Sequence, residues 1–173
     1  MSNSEETRPA NPADPAKRPP GSDADGPCAV RGPVLEALAM LPEGDFLMTA
    51  AFDGERTGLG VKAVMPCADE PVLIAVASRK GHAIEPIIRD SRHFALCVVR
   101  PDDRLLRRKF PPGAEPRGGG DPFDAMPTEN LGSGSPVPTR CAAAFDCEVV
   151  RHFDLDADHE IYVGQVLAVK LFD

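Results

Sequence analysis

The chain has 173 residues and a hydrophobic fraction of 42%, enough for one domain with a buried core. A formal net charge of −8 lacks the basic footprint of general nucleic-acid binding, and no apolar run approaches the roughly 20 residues of a membrane-spanning helix. No apolar signal-peptide region is visible, and five cysteines, an odd number without C-x-x-C spacing, fit reduced thiols in a cytoplasmic protein better than a disulfide frame.

Residues 1 to about 27, MSNSEETRPANPADPAKRPPGSDADGP, hold no large apolar residue after Met1. Such a stretch buries too little surface to offset its ordering entropy, so it is expected to be a disordered tail, with the domain running from Cys28 to Asp173. PVLEALAML sets Val34, Leu35, Leu38 and Leu41 at helical spacing behind Pro33, and LPEG ends that helix. DFLMTAAFD reads as a strand entering the turn DGERTG, and LGVKAVM as its partner, stopped by Pro66. PVLIAVA, apolar on both faces, reads as a central strand. GHAIEPIIRD reads as a short helix with Pro86 in its first turn, HFALCVV as a fourth strand, and DDRLLRRKF as a short charged helix.

A flexible surface insert is expected at Pro111–Gly120, PPGAEPRGGG, or about 111–121. DPFDAMPTENLGSGSPVP reads as an irregular arm over the domain or over a partner. CAAAFDCEVVRHFDL and EIYVGQVLAVKLF read as two long strands joined through DLDAD in a hairpin. This order points to a mainly β fold, a barrel with short helical inserts, and not to a doubly wound sheet.

Three motif lookalikes fail on context. GLGVKA, Gly58 to Ala63, matches the dinucleotide fingerprint, but Val61, Val64 and Met65 continue a strand and Pro66 forbids the required helix. DLDADHEIYVGQ resembles a calcium loop, yet His159 stands where glycine is needed and Gln165 where a bidentate glutamate is needed. Cys141 and Cys147, read as sharing one face of one strand, would lie about 20 Å apart at about 3.3 Å per residue, too far to share a metal. Both read as small buried hydrophobes.

SRKGH, Ser78 to His82, is the best candidate anion site. It lies between a strand end and a helix start, where unpaired N–H groups and the helix dipole favour an anion. Arg79 and Lys80 add charge and Gly81 permits close backbone approach; the alternative is a solvated turn with a helix cap. RLLRRK, Arg104 to Lys109, reads as a solvated helical face, or as a contact for a pyrophosphate or an acidic partner.

Several segments in order carry a family resemblance: LPEGDFLMTA, GLGVKAVMPCADEPVLIAVA, SRKGHAIEPIIRDSRHFALCVV and FDCEVVRHFDLDADHEIYVGQV. Together, over roughly residues 32 to 170, they resemble the flavin reductase-like family, an FMN-binding split β-barrel. The chain departs from the family's Ser/Thr-rich stretch at Gly60–Pro66, and carries Arg92 and Cys97 where glycine and asparagine are common.

The resemblance implies FMN, or FAD, as cofactor and NAD(P)H as co-substrate. It implies a homodimer with flavin sites near the subunit interface, and an oxygenase that receives reduced flavin. The residues it places around flavin are Thr49, Gly60, Val61, Lys62, Ala63, Val64, Ala77, Ser78, Arg79, Lys80 and His82, with the flavin phosphate near SRKGH. It puts His159, at the mouth of the last strand, beside the nicotinamide as the candidate catalytic residue; a hairpin histidine bonded to backbone is the alternative. His152, across that turn, reads as structural. Lys62 is expected either to meet the flavin phosphate or reduced ring, or to face solvent. Two further readings stay open: a flavin-binding carrier or sensor with little NAD(P)H turnover, and a barrel that serves as an interaction module.

Overall fold

The computed structural model describes Val34 and residues 36–173. The expected tail, residues 1–27, lies outside the described residues, as do Pro33 and Leu35 of the expected first helix. Residues 36–38 are helical, and Met40 and Leu41 N–H close the turn on Ala37 and Leu38 carbonyls at 3.1 Å each.

From Glu43 onward the chain forms β1 (Phe46–Phe52), β2 (Glu55–Val61), β3 (Val64–Asp69), β4 (Val72–Arg79), α1 (Ile84–Ser91), β5 (His93–Val98), α2 (Arg104–Lys109), β6 (Thr128–Asn130), β7 (Pro136–Pro138), β8 (Ala143–Asp154) and β9 (His159–Leu171). Seven strands make one antiparallel sheet in the order β2-β1-β5-β8-β9-β4-β3. Its two edges, β2 and β3, are consecutive in the chain and joined by Lys62 and Ala63 alone. A connection that short spans about 10 Å at most, so the sheet curls until its edges nearly meet. The result is a mainly β split barrel, as the family resemblance implies, and its seam lies at Lys62–Ala63.

The barrel closes around a core that includes Met48, Leu59, Val76, Phe94 and Leu96, capped by Ile84, Ile87 and Ile88 of α1. Each fully buried isoleucine contributes about 1.5–3 kcal/mol of hydrophobic stabilisation. Pro86 is the third residue of α1, where a missing N–H leaves no gap in the helix. Arg92 ends the helix at φ 61, the left-handed conformation that favours glycine. Its guanidinium donates to Val149 O at 2.8 Å, which offsets the backbone strain. A smaller core on the other face gathers Leu47, Cys97, Leu106, Phe110, Phe123 and Val137.

Four expectations change. LGVKAVM is two strands, broken at Lys62–Ala63, and Pro66 lies inside β3, an edge strand where a missing donor is tolerated. The arm contains the β6–β7 ladder, and its buried Val137 lays it over the domain. Cys141 sits in the turn before β8 and packs in the smaller core, whereas Cys147 packs in the larger one, so they share no face. Burial pushes the Cys147 thiol up to about 12.

The fourth change concerns the insert. It is docked, not a free loop. Phe110 stacks on Phe123 at 5.3 Å, Pro112 bridges Gly60, and Arg117 N–H donates to Lys109 O at 2.8 Å. Asp121 pairs with Arg56. We call residues 110–121 the strap.

Candidate functional site

Alternation along β4 sends Ile74, Val76 and Ser78 into the buried set and leaves Ala77 and Arg79 on the outer face. The β4–β9 register sets Arg79 directly opposite His159, so both side chains leave the same face. Ala77 N–H donates to Ala63 O at 3.0 Å, which brings the barrel seam alongside. These elements enclose a cavity of about 280 Å³ lined by Gly60, Val61, Lys62, Ala63, Ala77, Arg79 and His159, with Glu43, Pro112 and Gly113 completing it. Seven of the residues expected from the sequence therefore meet in one place.

His159 Nδ1 lies 2.9 Å from Asp158 Oδ1. That carboxylate fixes the ring, and its partner nitrogen, Nε2, becomes the acceptor in the neutral tautomer. The hydrogen bond from His159 holds Asp158 below the usual carboxylate range. The Arg79 charge acts on the nearby Asp158 carboxylate, and its chain packs against Gly113, where an added Cβ would lie 3.1 Å from Arg79 Cδ. Lys62 is committed elsewhere. Its Nζ is 2.6 Å from Asp45 Oδ1, while Arg107 holds the other oxygen at 2.7 Å.

The remaining expected residues lie apart from the cavity. Thr49 is fully buried and donates to Pro136 O at 2.7 Å, tying β1 to the arm. Val64 pairs with Val76 and packs on the larger core. Ser78 is fully buried with its hydroxyl unpartnered. Lys80 reaches Asp154, a pairing that raises its pKa. His152 stacks on Tyr162 at 4.6 Å and binds the buried Glu160 at 2.7 Å, a structural cluster closed by the Tyr162 hydroxyl. RLLRRK splits its roles: Leu106 is core, Arg107 holds Asp45, and Arg108 and Lys109 line a 400 Å³ cavity with Arg117.

The helix end expected to hold an anion is already served by carboxylates. Glu85 accepts from Gly81 N–H and, at 3.3 Å, from His82 N–H. Glu115 of the strap accepts from Ala83 N–H at 2.8 Å. His82 Nδ1 accepts from Ile84 N–H at 3.0 Å, which leaves the proton on Nε2. Nε2 makes no aligned hydrogen bond, though Glu115 Oε2 lies 3.3 Å away. Burial lowers the His82 pKa against the opposing pull of Glu115.

Sequence reasoning missed Pro112, Gly113 and Glu115. One signal was present: glycine inside a strand, here Gly58 and Gly60 of β2, marks close approach of another segment. A Cβ on Gly60 would lie 2.4 Å from Phe110 O, and Gly113 N–H donates to Gly60 O at 3.1 Å.

The residues fit a flat ring with polar edges. Gly60, Ala63, Ala77 and Gly113 leave room, backbone groups line the seam, and Arg79 supplies a cation. The cavity lies just below the usual range of about 300–1,000 Å³ for small-molecule sites, which matches the ring end of a flavin better than the whole nucleotide.

Comparison with known proteins bears on the family and the fold. Diflavin flavoprotein A 1 of Synechocystis sp. is 26% identical over 136 residues, covering 76% of this chain and 22% of the relative. FMN reductase (NADH) SmoA of Agrobacterium fabrum is 28% identical over 131 residues, covering 76% and 71%. The chain spans about a fifth of the length of the diflavin relatives it matches. The crystal structure of nitrilotriacetate monooxygenase component B from Mycobacterium thermoresistibile superposes with a TM-score of 0.71 at 20% identity, covering 83% of this chain and 77% of the other. The Flavin reductase like domain matches residues 38–173. With the split barrel and its seam cavity, that match places this chain in the flavin reductase-like family.

Proposed function

We propose that this chain is an NAD(P)H-dependent flavin reductase whose flavin ring occupies the seam cavity. The observation that carries the reading is the meeting of Gly60–Ala63, Ala77, Arg79 and His159 around one 280 Å³ space. Bound flavin supplies the chemistry, accepting a hydride from the nicotinamide and releasing the electron pair to a later acceptor. The seam backbone orients the ring edge, Arg79 offers positive charge beside it, and His159, oriented by Asp158, holds the nicotinamide amide through Nε2. The strap residues Pro112 and Gly113 roof the cavity and exclude water. Arg108, Lys109 and Arg117 offer three cations to the dinucleotide's phosphates.

The name of the Agrobacterium relative supports FMN and NADH; that of the monooxygenase component supports an oxygenase as recipient of reduced flavin. A homodimer is supported by apolar surface on β9, where Leu167, Val169 and Leu171 are 51%, 58% and 78% exposed. A cytoplasmic setting agrees with Cys67, Cys97, Cys141 and Cys147 as free thiols. Among the described residues, no helix is long and apolar enough to cross a membrane.

One observation favours a carrier or sensor instead. The seam lacks side-chain hydroxyls, and the strap already binds Gly60 O. Anaerobic titration decides between them. Flavin retained after desalting, with absorbance near about 450 nm that bleaches on adding NADH or NADPH, supports the reductase. Retained flavin that neither nucleotide reduces leaves the carrier.

A further inference from the structure

Two carboxylates serve the α1 N-terminus, and they differ in origin. Glu85 belongs to the first turn of α1 itself, an arrangement common in helices. Glu115 comes from the strap, 32 residues beyond the Ala83 N–H it accepts from. Its side chain is 55% exposed, whereas the His82 side chain it faces is 3% exposed. Behind Glu115 thus stands a buried imidazole whose Nε2–H makes no aligned hydrogen bond. A helix end and a buried N–H donor, which Glu115 Oε2 faces at 3.3 Å without an aligned bond, converge on one point suited to an anion. The strap's own carboxylate stands in it.

The same strap connects this point to the seam cavity. Gly113 lines the cavity and Glu115 grips the helix end. Two residues of chain reach at most about 7 Å. A ligand with its ring in the cavity and an anion two or three bonds beyond the ring's sugar chain must use the ground that Gly113–Glu115 covers. Inserting a second anion there while Glu115 stays would put two negative charges on one pair of donors.

Resting on the flavin reading above, we propose that Glu115 is a placeholder for the flavin phosphate. It accepts from Ala83 N–H and faces His82 Nε2, and yields both groups to the phosphate when flavin binds. Its competition weakens binding of phosphorylated flavin and keeps the flavin an exchanging substrate. Glu85 stays in place throughout.

The test compares FMN with riboflavin, which has the same ring and no phosphate. Dissociation constants are measured by flavin fluorescence for the full chain and for Glu115→Ala and Glu115→Gln. Glu115→Ala tightens FMN by about tenfold and leaves riboflavin within about twofold. Glu115→Gln, which keeps the hydrogen bond to Ala83 and removes the charge, falls between. In the unaltered protein, FMN raises amide hydrogen exchange across residues 113–117, and riboflavin does not. If both flavins bind and the FMN-to-riboflavin ratio is the same in all three proteins, the proposal is overturned while the flavin reading stands. If no protein binds either flavin, the flavin reading falls and takes the proposal with it.

Discussion

The β4–β9 ladder and the strap both face the seam cavity, and they are built on opposite principles. The ladder holds Arg79 and His159 through continuous backbone pairing from Leu73↔Gln165 to Arg79↔His159, backed by buried Val76 and Tyr162. Its geometry follows from period-2 alternation. The strap has no period. A glycine contact, a stacked phenylalanine pair, the Glu115 cap and the Arg56–Asp121 ion pair hold it at separate points. A ladder opens cooperatively, whereas a strap pinned at points can release one at a time. The site therefore has a rigid floor and a roof that can lift.

The largest loss is expected from the core beneath the ladder. Phe94 is fully buried and lies against Gly164, where an added Cβ would come within 2.6 Å of the ring. Phe94→Ala is expected to cost about 3–5 kcal/mol, measured by denaturant unfolding, with floor and roof lost together. A cost below about 1 kcal/mol would mean that the floor does not rest on this core.

Gly60→Ala attacks the roof alone. The new methyl meets backbone at Phe110 O, so the strap must lift. The expected cost is about 1–3 kcal/mol, with faster amide exchange confined to residues 110–117. If exchange instead rises along β4 and β9, the two regions are not separable as argued.

The smallest effect lies at the edge of the site. The hydrogen bond from Lys62, aided by the charges of Lys62 and Arg107, holds Asp45 below the usual carboxylate range against a modest burial cost. Its folded pKa is lower than its unfolded one. The pair therefore stabilises the fold above the unfolded value of about 3.9, and that contribution is lost as pH falls through the folded value. Because these side chains are partly exposed, Asp45→Asn should cost no more than about 1 kcal/mol at neutral pH. The difference from the unaltered protein should shrink steadily in acid unfolding curves as pH falls below the unfolded value of about 3.9. A gap that persists there would assign Asp45 a role other than charge.

The ladder was legible in the sequence and the strap was not, for the same physical reason. Alternation in PVLIAVA and EIYVGQV shows which residues share a face, and the hairpin DLDAD brings His159 back beside Arg79. Alternation also separates Ser78 from Arg79, a distinction lost when SRKGH is read as one cluster. The strap resembles a linker because its proline and glycine content carries no period, and its anchors depend on partners far along the chain. Gly58 and Gly60, both against Phe110, were its local traces. The seam break makes Lys62 a loop residue with Asp45 in reach, which the reading of LGVKAVM as one strand did not show.

The seam cavity beside Arg79, and not the Lys80 side of the neighbouring turn, is proposed to hold the flavin ring. Arg79 lines that cavity, whereas Lys80, one residue on, reaches Asp154 outside it. FMN affinity of Arg79→Ala and Lys80→Ala, measured side by side, tests the claim directly. A loss of about tenfold is expected for Arg79→Ala, with little change for Lys80→Ala. The reverse pattern, with Lys80→Ala impaired and Arg79→Ala intact, would contradict it.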